Sequence, residues 1–368
     1  MSRAAKSFTH PLHFISRALE SFIIALHWMS RIAKPFIHKL HLMQTTTKSL
    51  TPALHQLSSE GRMICALAIA KVLDGYILKW YVYSLCGFPM LELHSHTTCS
   101  DGSLSPAELV EFAVAQGVKA LAITDHDTMA GWDEAIATAI PLGLEIVPGL
   151  ELSTVYNGRS MHILGFYPDA QRLRSPLQER VEGRKRRAVK MAEKLAALGY
   201  PIELPDMTGS MAPGRPHIAT ALKKAGHVNS SNEAFDRFLK DDGPAYVPYE
   251  KFTAQEGIEL LLSCGAVPVW AHPYIFRGGT VETILPELIE AGLMGLEVYH
   301  PTHSVSQTRK LEEYCSEYGL VMTGGSDYHG PKKEKNPDFK DLNALAVSLE
   351  LLPPLKQAAA RLSQHSRR

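Results

Sequence analysis

The run Ala120-Leu121-Ala122-Ile123-Thr124-Asp125-His126-Asp127 puts five uncharged residues directly before three side chains that can bind metal or move a proton. Residues 120–124 predict a strand buried on both faces, as in a parallel sheet covered by helices. The same rhythm extends in both directions. Upstream, a strand is expected over 91–94. Ser105-Pro106-Ala107-Glu108 then opens a helix, with Ser as N-cap, Pro in the first turn and an acid at the positive end; it closes near Gly117. Downstream, a helix is expected over 129–140 and strands over 145–147, 162–166, 266–271, 295–299 and 321–324. Helices over 281–291 and 304–318 separate the later strands. Such alternation predicts an α/β fold built as a parallel barrel or sheet. Residues 172–259 interrupt it with helical segments and no clear strand, and read as an inserted helical cap.

The chain of 368 residues has a formal net charge of zero, which hides an asymmetry. Residues 1–89 hold ten Lys/Arg against three Asp/Glu, a net +7, which leaves −7 for the remainder. An acidic domain is a poor binder of long duplex nucleic acid, which needs many phosphate-neutralising cations. Bound divalent ions would reverse that sign locally, so short phosphate substrates stay in play. The five cysteines form no Cys-x-x-Cys pair, which points to a reducing, cytoplasmic setting. Cys99 reads as a space-filler in a functional loop, because no basic partner would activate it.

Residues 1–89 stand apart. Their apolar positions follow helical spacing but carry charges throughout, so no transmembrane segment is expected. Three readings are open: an amphipathic helical extension, an organelle-targeting peptide, or translation that starts at Met90. The last is favoured, because Met90 is followed at once by a strand and a motif. The expected division is therefore 1–89 as extension, 90–171 with 260–368 as catalytic barrel, and 172–259 as cap.

Polar, metal-competent residues recur at the ends of predicted strands. They are His94 and His96 with Asp101, His126, Glu151 with His162, His272, and Asp327 with His329. A strand puts residues two apart on one face, so His94 and His96 can reach one ion. In a βα barrel such ends converge on one mouth. Mixed imidazole and carboxylate donors suit Mn²⁺, Zn²⁺ or Fe²⁺ better than Ca²⁺ or Mg²⁺. One His or Asp at a strand end is usually structural. Nine exceed what one tetrahedral ion can use, so a multinuclear centre is expected.

His94-Ser95-His96-Thr97-Thr98-Cys99-Ser100-Asp101-Gly102, Ile123-Thr124-Asp125-His126-Asp127-Thr128 and Gly325-Ser326-Asp327-Tyr328-His329 resemble the signature motifs of the polymerase-and-histidinol-phosphatase (PHP) family. The resemblance covers about Met90 to the C-terminus. It implies a distorted (β/α)₇ barrel holding two or three divalent ions, Mn²⁺ first among them. It also implies one ion among His94, His96, Glu151 and Asp327, with Glu151 bridging to a second at His162 and His272. Asp101, His126 and His329 would hold a third. Gly214-Arg215-Pro216-His217-Ile218-Ala219 and Ala245-Tyr246-Val247-Pro248 are similar to the subgroup of 3′,5′-nucleotide bisphosphate phosphatases and RNase AM-type 5′→3′ exonucleases.

The chemistry implied is attack on phosphorus by a metal-activated hydroxide beside Glu151, with no protein nucleophile. His217 or a metal-bound group would protonate the leaving oxygen, and Arg215 would clamp phosphate from the cap, against a surface salt bridge as the bland alternative. Arg180, Arg184 and Arg187 share a helix face that either guides an RNA tail or is simply solvated, the latter favoured. The leading expectation is release of the 3′-phosphate from nucleoside 3′,5′-bisphosphates. The alternative is 5′→3′ trimming of short RNA or DNA, with histidinol phosphatase a weaker third. A non-catalytic scaffold would have lost metal ligands, and none is lost.

Overall fold

The computed structural model describes residues 90–207, 211–249, 252–331 and 341–365. Expectations for residues 1–89 fall outside them. Seven strands form one sheet in sequential order: β1 (Met90–Glu92), β2 (Val118–Ile123), β3 (Glu145–Tyr156), β4 (Arg159–Phe166), β5 (Val267–Trp270), β6 (Gly295–Tyr299) and β7 (Val321–Gly324). Around them lie α1 (Pro106–Ala115), α2 (Trp132–Leu142), α3 (Ala170–Ala197), α4 (Arg215–Lys224), α5 (Ser231–Ala234), α6 (Ala254–Ser263), α7 (Val281–Glu290), α8 (Val305–Tyr318) and α9 (Leu352–His365). At α1, Ser105 accepts from the Glu108 N–H while Glu108 caps Ser105 in return, as the local sequence predicts.

The sheet is mixed, which corrects the parallel expectation: β4 runs antiparallel to both β3 and β5. The reason is local. Tyr156 and Arg159 are joined by Asn157-Gly158, both at positive φ (49° and 73°), the two-residue turn that twists with a hairpin. A parallel return needs a dozen residues or more. The strand expected over 145–147 is also much longer. Pro148 is the last residue of β3 that pairs with β2, and from Gly149 onward the strand pairs with β4 instead. Glu151 therefore sits inside a strand rather than in a loop after one.

The first and last strands meet beyond their ladders. Leu93 N–H donates to Gly324 O at 3.2 Å, and His96 N–H donates to Tyr328 O at 2.8 Å. Apolar clusters fill the sheet on both sides. Leu91, Ala120, Val147, Leu164, Val269 and Leu355 form one, and Leu150, Ile163, Leu261, Leu288 and Leu311 belong to another.

The segment between β4 and β5 is helical among its described residues. The expected cap limits at 172 and 259 fall inside helices α3 and α6. Helix α6 packs into the core beside the sheet through Ala254, Ile258 and Leu261, close enough that a Cβ on Gly165 would stand 2.3 Å from Leu261. Its sequence looks helical like the cap's, but its apolar face belongs to β3 and β4. No helix among the described residues is long and apolar enough to cross a membrane.

Candidate metal centre

The strand ends bring eight of the nine predicted residues into three groups whose donor atoms lie within 4.8 Å of one another. The first is His94, His96, Glu151 and Asp327. Glu151 Oε2 lies 3.3 Å from the Nε2 atoms of His94 and His96, and Asp327 Oδ1 lies 3.3 and 3.1 Å from the same two atoms. The second is His96, Asp101, His126 and His329, with His329 Nε2 3.3 Å from Asp101 Oδ1. The third is His126, Glu151 and His162, with His162 Nδ1 2.7 Å from Glu151 Oε1. Glu151 thus belongs to two groups. His272 lies outside all three, yet its Nε2 is 3.2 Å from Glu151 Oε1. His126 stands closer to Glu151 than the sequence suggested, with Nδ1 at 3.1 Å from Oε2.

These residues fit ions on a test internal to the structure. His94 Nε2, His96 Nε2, His126 Nδ1 and Glu151 Oε2 are buried donor or acceptor atoms with no hydrogen-bond partner. Buried polar atoms are normally satisfied. Three such ring nitrogens turned toward one unpartnered carboxylate oxygen fit the donor set of a divalent-ion site. The clusters can hold two or three divalent ions.

Outer contacts orient the ligating atoms. Glu297, fully buried in β6, accepts from His94 Nδ1 at 2.9 Å and from the His272 backbone N–H at 2.7 Å. With its proton on Nδ1, His94 turns a bare Nε2 to the centre. His329 donates from Nδ1 to Asp327 O at 2.8 Å with the same result. Asp125 ties the first loop by accepting from Thr97 N–H and Oγ1, both at 2.7 Å, and from Ser100 Oγ. Glu92 accepts from Ser326 N–H at 2.7 Å and Oγ at 2.8 Å, and burial raises its pKa to about 7. Asp127, His272 and Asp327 hold left-handed backbone (φ 52°, 32° and 52°), the strain typical of functional strand ends. Sequence reading missed Glu92 and Glu297. A lone acid inside Met90-Leu91-Glu92 or Gly295-Leu296-Glu297-Val298-Tyr299 was the available signal.

The charges are mutually set. Burial works against ionised Asp101, Glu151 and Asp327, yet the surrounding histidines hold all three well below the usual carboxylate range. Burial also opposes protonation of His96, but Asp327 and Glu151 win and raise it to about 10. Burial, with help from Arg184, pushes His126 down to about 3. Cys99 is pushed up to about 11 by burial, so it remains a thiol.

The arginine face of α3 is neither a solvated face nor an open RNA guide. Arg184 and Arg187 are buried. Arg184 Nε donates to Asp127 at 2.5 Å and its other nitrogens to Ser153 Oγ and Pro213 O. Arg187 donates to Val247 O at 2.7 Å and stacks over Tyr249, and Arg180 stacks over Phe252. Asp127 therefore anchors the cap helix. Gly214 enters the centre's wall: a Cβ there would stand 3.2 Å from Asp101 Oδ2. His217 Nδ1 accepts the Gly214 N–H at 3.0 Å, and burial lowers its pKa. Arg215 is engaged with Asp241 at 2.8 Å and Leu239 O at 3.3 Å.

Metal-competent groups at the mouth of an α/β sheet, roofed by helices, define a metal-dependent phosphoric ester hydrolase once the relatives are added. The PHP domain matches residues 92–228. The chain is 36% identical to a 5′-3′ exoribonuclease of Haemophilus influenzae over 261 residues, 68% of this chain and 95% of that protein. It is 30% identical to a 3′,5′-nucleoside bisphosphate phosphatase of Chromobacterium violaceum, covering 66% of this chain and 87% of that one. The crystal structure of a protein described as a metal-dependent phosphoesterase from Bifidobacterium adolescentis superposes with a TM-score of 0.67 at 31% identity, covering 73% and 96%. The chain belongs to the PHP-domain family of metal-dependent phosphoesterases.

Proposed function

We propose that the chain is a 5′→3′ exoribonuclease that trims short oligonucleotides, with the ions held by His94, His96, Asp101, His126, Glu151, His162, His272, Asp327 and His329. The observation that carries this reading is the match to the H. influenzae exoribonuclease over nearly all of that protein's length. It reverses the order expected from sequence. The C. violaceum relative supports the second reading, release of the 3′-phosphate from a nucleoside 3′,5′-bisphosphate at the same centre. In either case the substrate is a short phosphorylated nucleotide and not a duplex.

When bound, the ions, with Mn²⁺ the leading choice, supply Lewis acidity to the phosphoryl oxygens and acidify water near neutral pH. The protein's own groups do the rest. Glu151 spans two donor groups and fixes their separation. His217 accepts at Nδ1, so its neutral ring carries the proton on Nε2, where it can serve the leaving oxygen. Arg215 retains free donors beside its Asp241 contact for a phosphate clamp. The contacts between β1 and β7 support a closed, distorted (β/α)₇ barrel, with 90–171 and 260–368 as the catalytic body and 172–259 as the cap.

The full chain loaded with Mn²⁺ decides between the readings. Mononucleotide release from a 5′-phosphorylated RNA pentamer is compared with phosphate release from adenosine 3′,5′-bisphosphate, with Asp327→Ala as control. Faster trimming is expected. Faster bisphosphate turnover would promote the second reading, and activity on neither would sink both.

A further inference from the structure

Strand β6 delivers a further imidazole to the mouth, beside the six of the predicted site, one that sequence reading passed over. His300 directly follows β6 and is only 4% exposed. Among the described residues its Nε2 has no hydrogen-bond partner, and it lies 3.8 Å from Asp327 Oδ2. The His272 ring stands 5.5 Å away on one side and the His303 ring 5.3 Å on the other.

The outer nitrogen fixes what this ring can do. The Thr302 backbone N–H points to His300 Nδ1 at 3.3 Å, and the Thr302 hydroxyl lies 2.8 Å from the same atom. A backbone N–H can only donate, so Nδ1 must offer its lone pair. The proton of the neutral ring is then on Nε2, facing the centre. His94 and His329 show the opposite arrangement. Their Nδ1 atoms face oxygens that only accept, Glu297 Oε1 and Asp327 O, which leaves Nε2 bare for an ion. The outer partner thus distinguishes His94 and His329, which turn a lone pair to the centre, from His300, which turns an N–H to it.

A buried N–H with no acceptor is costly, and none of the described residues supplies one within reach. Asp327 Oδ2 is too far for a hydrogen bond, and Oδ1 of the same carboxylate is turned to His94 and His96. We propose that His300 is a further catalytic residue, whose Nε2–H donates to a non-bridging phosphoryl oxygen of the substrate held beside Asp327. His303 holds it in place from behind, itself fixed by donation from Nδ1 to Val298 O at 3.0 Å. The proton stays on His300 throughout, and no bond is made or broken there. The proposal rests on the reading of this centre as a phosphoester hydrolase.

The test uses the Mn²⁺-loaded full chain and the variants His300→Asn and His300→Gln. Asn preserves an acceptor near the Nδ1 position and removes the donor, whereas the Gln amide reaches the Nε2 position. Three quantities are read: ions per chain by atomic absorption, affinity for inorganic phosphate by calorimetry, and the kcat and KM of ester hydrolysis. The expected result for Asn is unchanged ion content with phosphate affinity and kcat/KM lower by about 10–100-fold, as for one hydrogen bond to a charged group. Gln should recover part of that loss. If His300→Asn fails to fold, His300→Ala takes its place as the donor-free variant, and Gln must keep the ions and bind phosphate better than that variant. Loss of an ion in both variants would make His300 a ligand and overturn the proposal. So would phosphate affinity unchanged within about twofold, since a hydrogen bond to a charged group is worth more. If the wild type hydrolyses no ester but phosphate binding still depends on His300, the donor stands and the hydrolytic reading fails.

Discussion

Glu297→Gln is the substitution that most directly probes how the centre is held. Glu297 has two oxygens and two donors to satisfy, His94 Nδ1 at 2.9 Å and the His272 N–H at 2.7 Å. Glutamine is isosteric but offers one acceptor. The His272 donor is backbone and cannot turn away, so the amide oxygen must stay with it. The amide NH₂ then faces His94 Nδ1, and His94 can avoid a donor–donor clash only by moving its proton to Nε2. That proton points into the first donor group and blocks the atom that lies 3.3 Å from both Glu151 and Asp327. Loss of an orienting partner of this kind costs about 10–100-fold in metal affinity, or about 1.4–2.8 kcal/mol. Titration of metal-stripped protein with Mn²⁺ against a competing chelator measures it, with urea unfolding as a check on the fold. An unchanged affinity with an intact fold would refute the tautomer reasoning.

Further outcomes are expected. Asp127→Asn breaks a buried ion pair with Arg184 and should cost about 3–5 kcal/mol in urea unfolding at neutral pH. Burial opposes the Asp127 charge but Arg184 and Arg180 hold its pKa below the ordinary value. Its contribution is therefore present above the ordinary carboxylate range and lost as pH falls below it, so the gap between wild type and variant should close there, and a gap that persists would refute the assignment. Gly325→Ala places a Cβ 2.5 Å from His94 N and Cβ. It should destabilise by about 1–3 kcal/mol or more and lower ion content, read by unfolding and atomic absorption. Mn²⁺ binding near pH 7 should release protons, because His96 is raised to about 10 and must lose its proton to ligate. Calorimetry in two buffers of different ionisation enthalpy reads the release, and identical heats would count against it. Gly158→Val should cost about 1–2 kcal/mol, the penalty for a branched residue in left-handed backbone, by thermal unfolding.

Much of the site was legible because strand ends in an alternating pattern converge whatever their distance in sequence. His94 and His96 announce themselves by spacing alone, and Asp327 and His329 repeat the device. The reversal of β4 was hidden because Pro148-Gly149 reads as a loop while acting as a hand-over between partners. The turn at Asn157-Gly158 would have revealed it. Arg184 and Arg187 were misread because a charge on a helix face defaults to water, and only tertiary contact reveals Asp127 waiting beneath. Glu297 and His300 had no doublet or motif to mark them. Their roles depend on which nitrogen of a neighbouring ring carries a proton, a property no spacing encodes.

The reversed fourth strand also decides where the insertion is mounted. Because β4 runs backwards, its end at Phe166 lies away from the metal centre, and the Asp169 N–H there donates to Cys264 O at 2.7 Å. The 28-residue α3 then spans roughly 42 Å, long enough to climb the flank of the sheet and bring Arg184 to Asp127. The chain returns at Phe252, whose carbonyl accepts from Val155 N–H at 2.8 Å beside the mouth. A roof pinned at its foot, its shoulder and its return is a strut rather than a flap. Its amides near Arg184 should exchange with solvent only as slowly as those of the strands beneath.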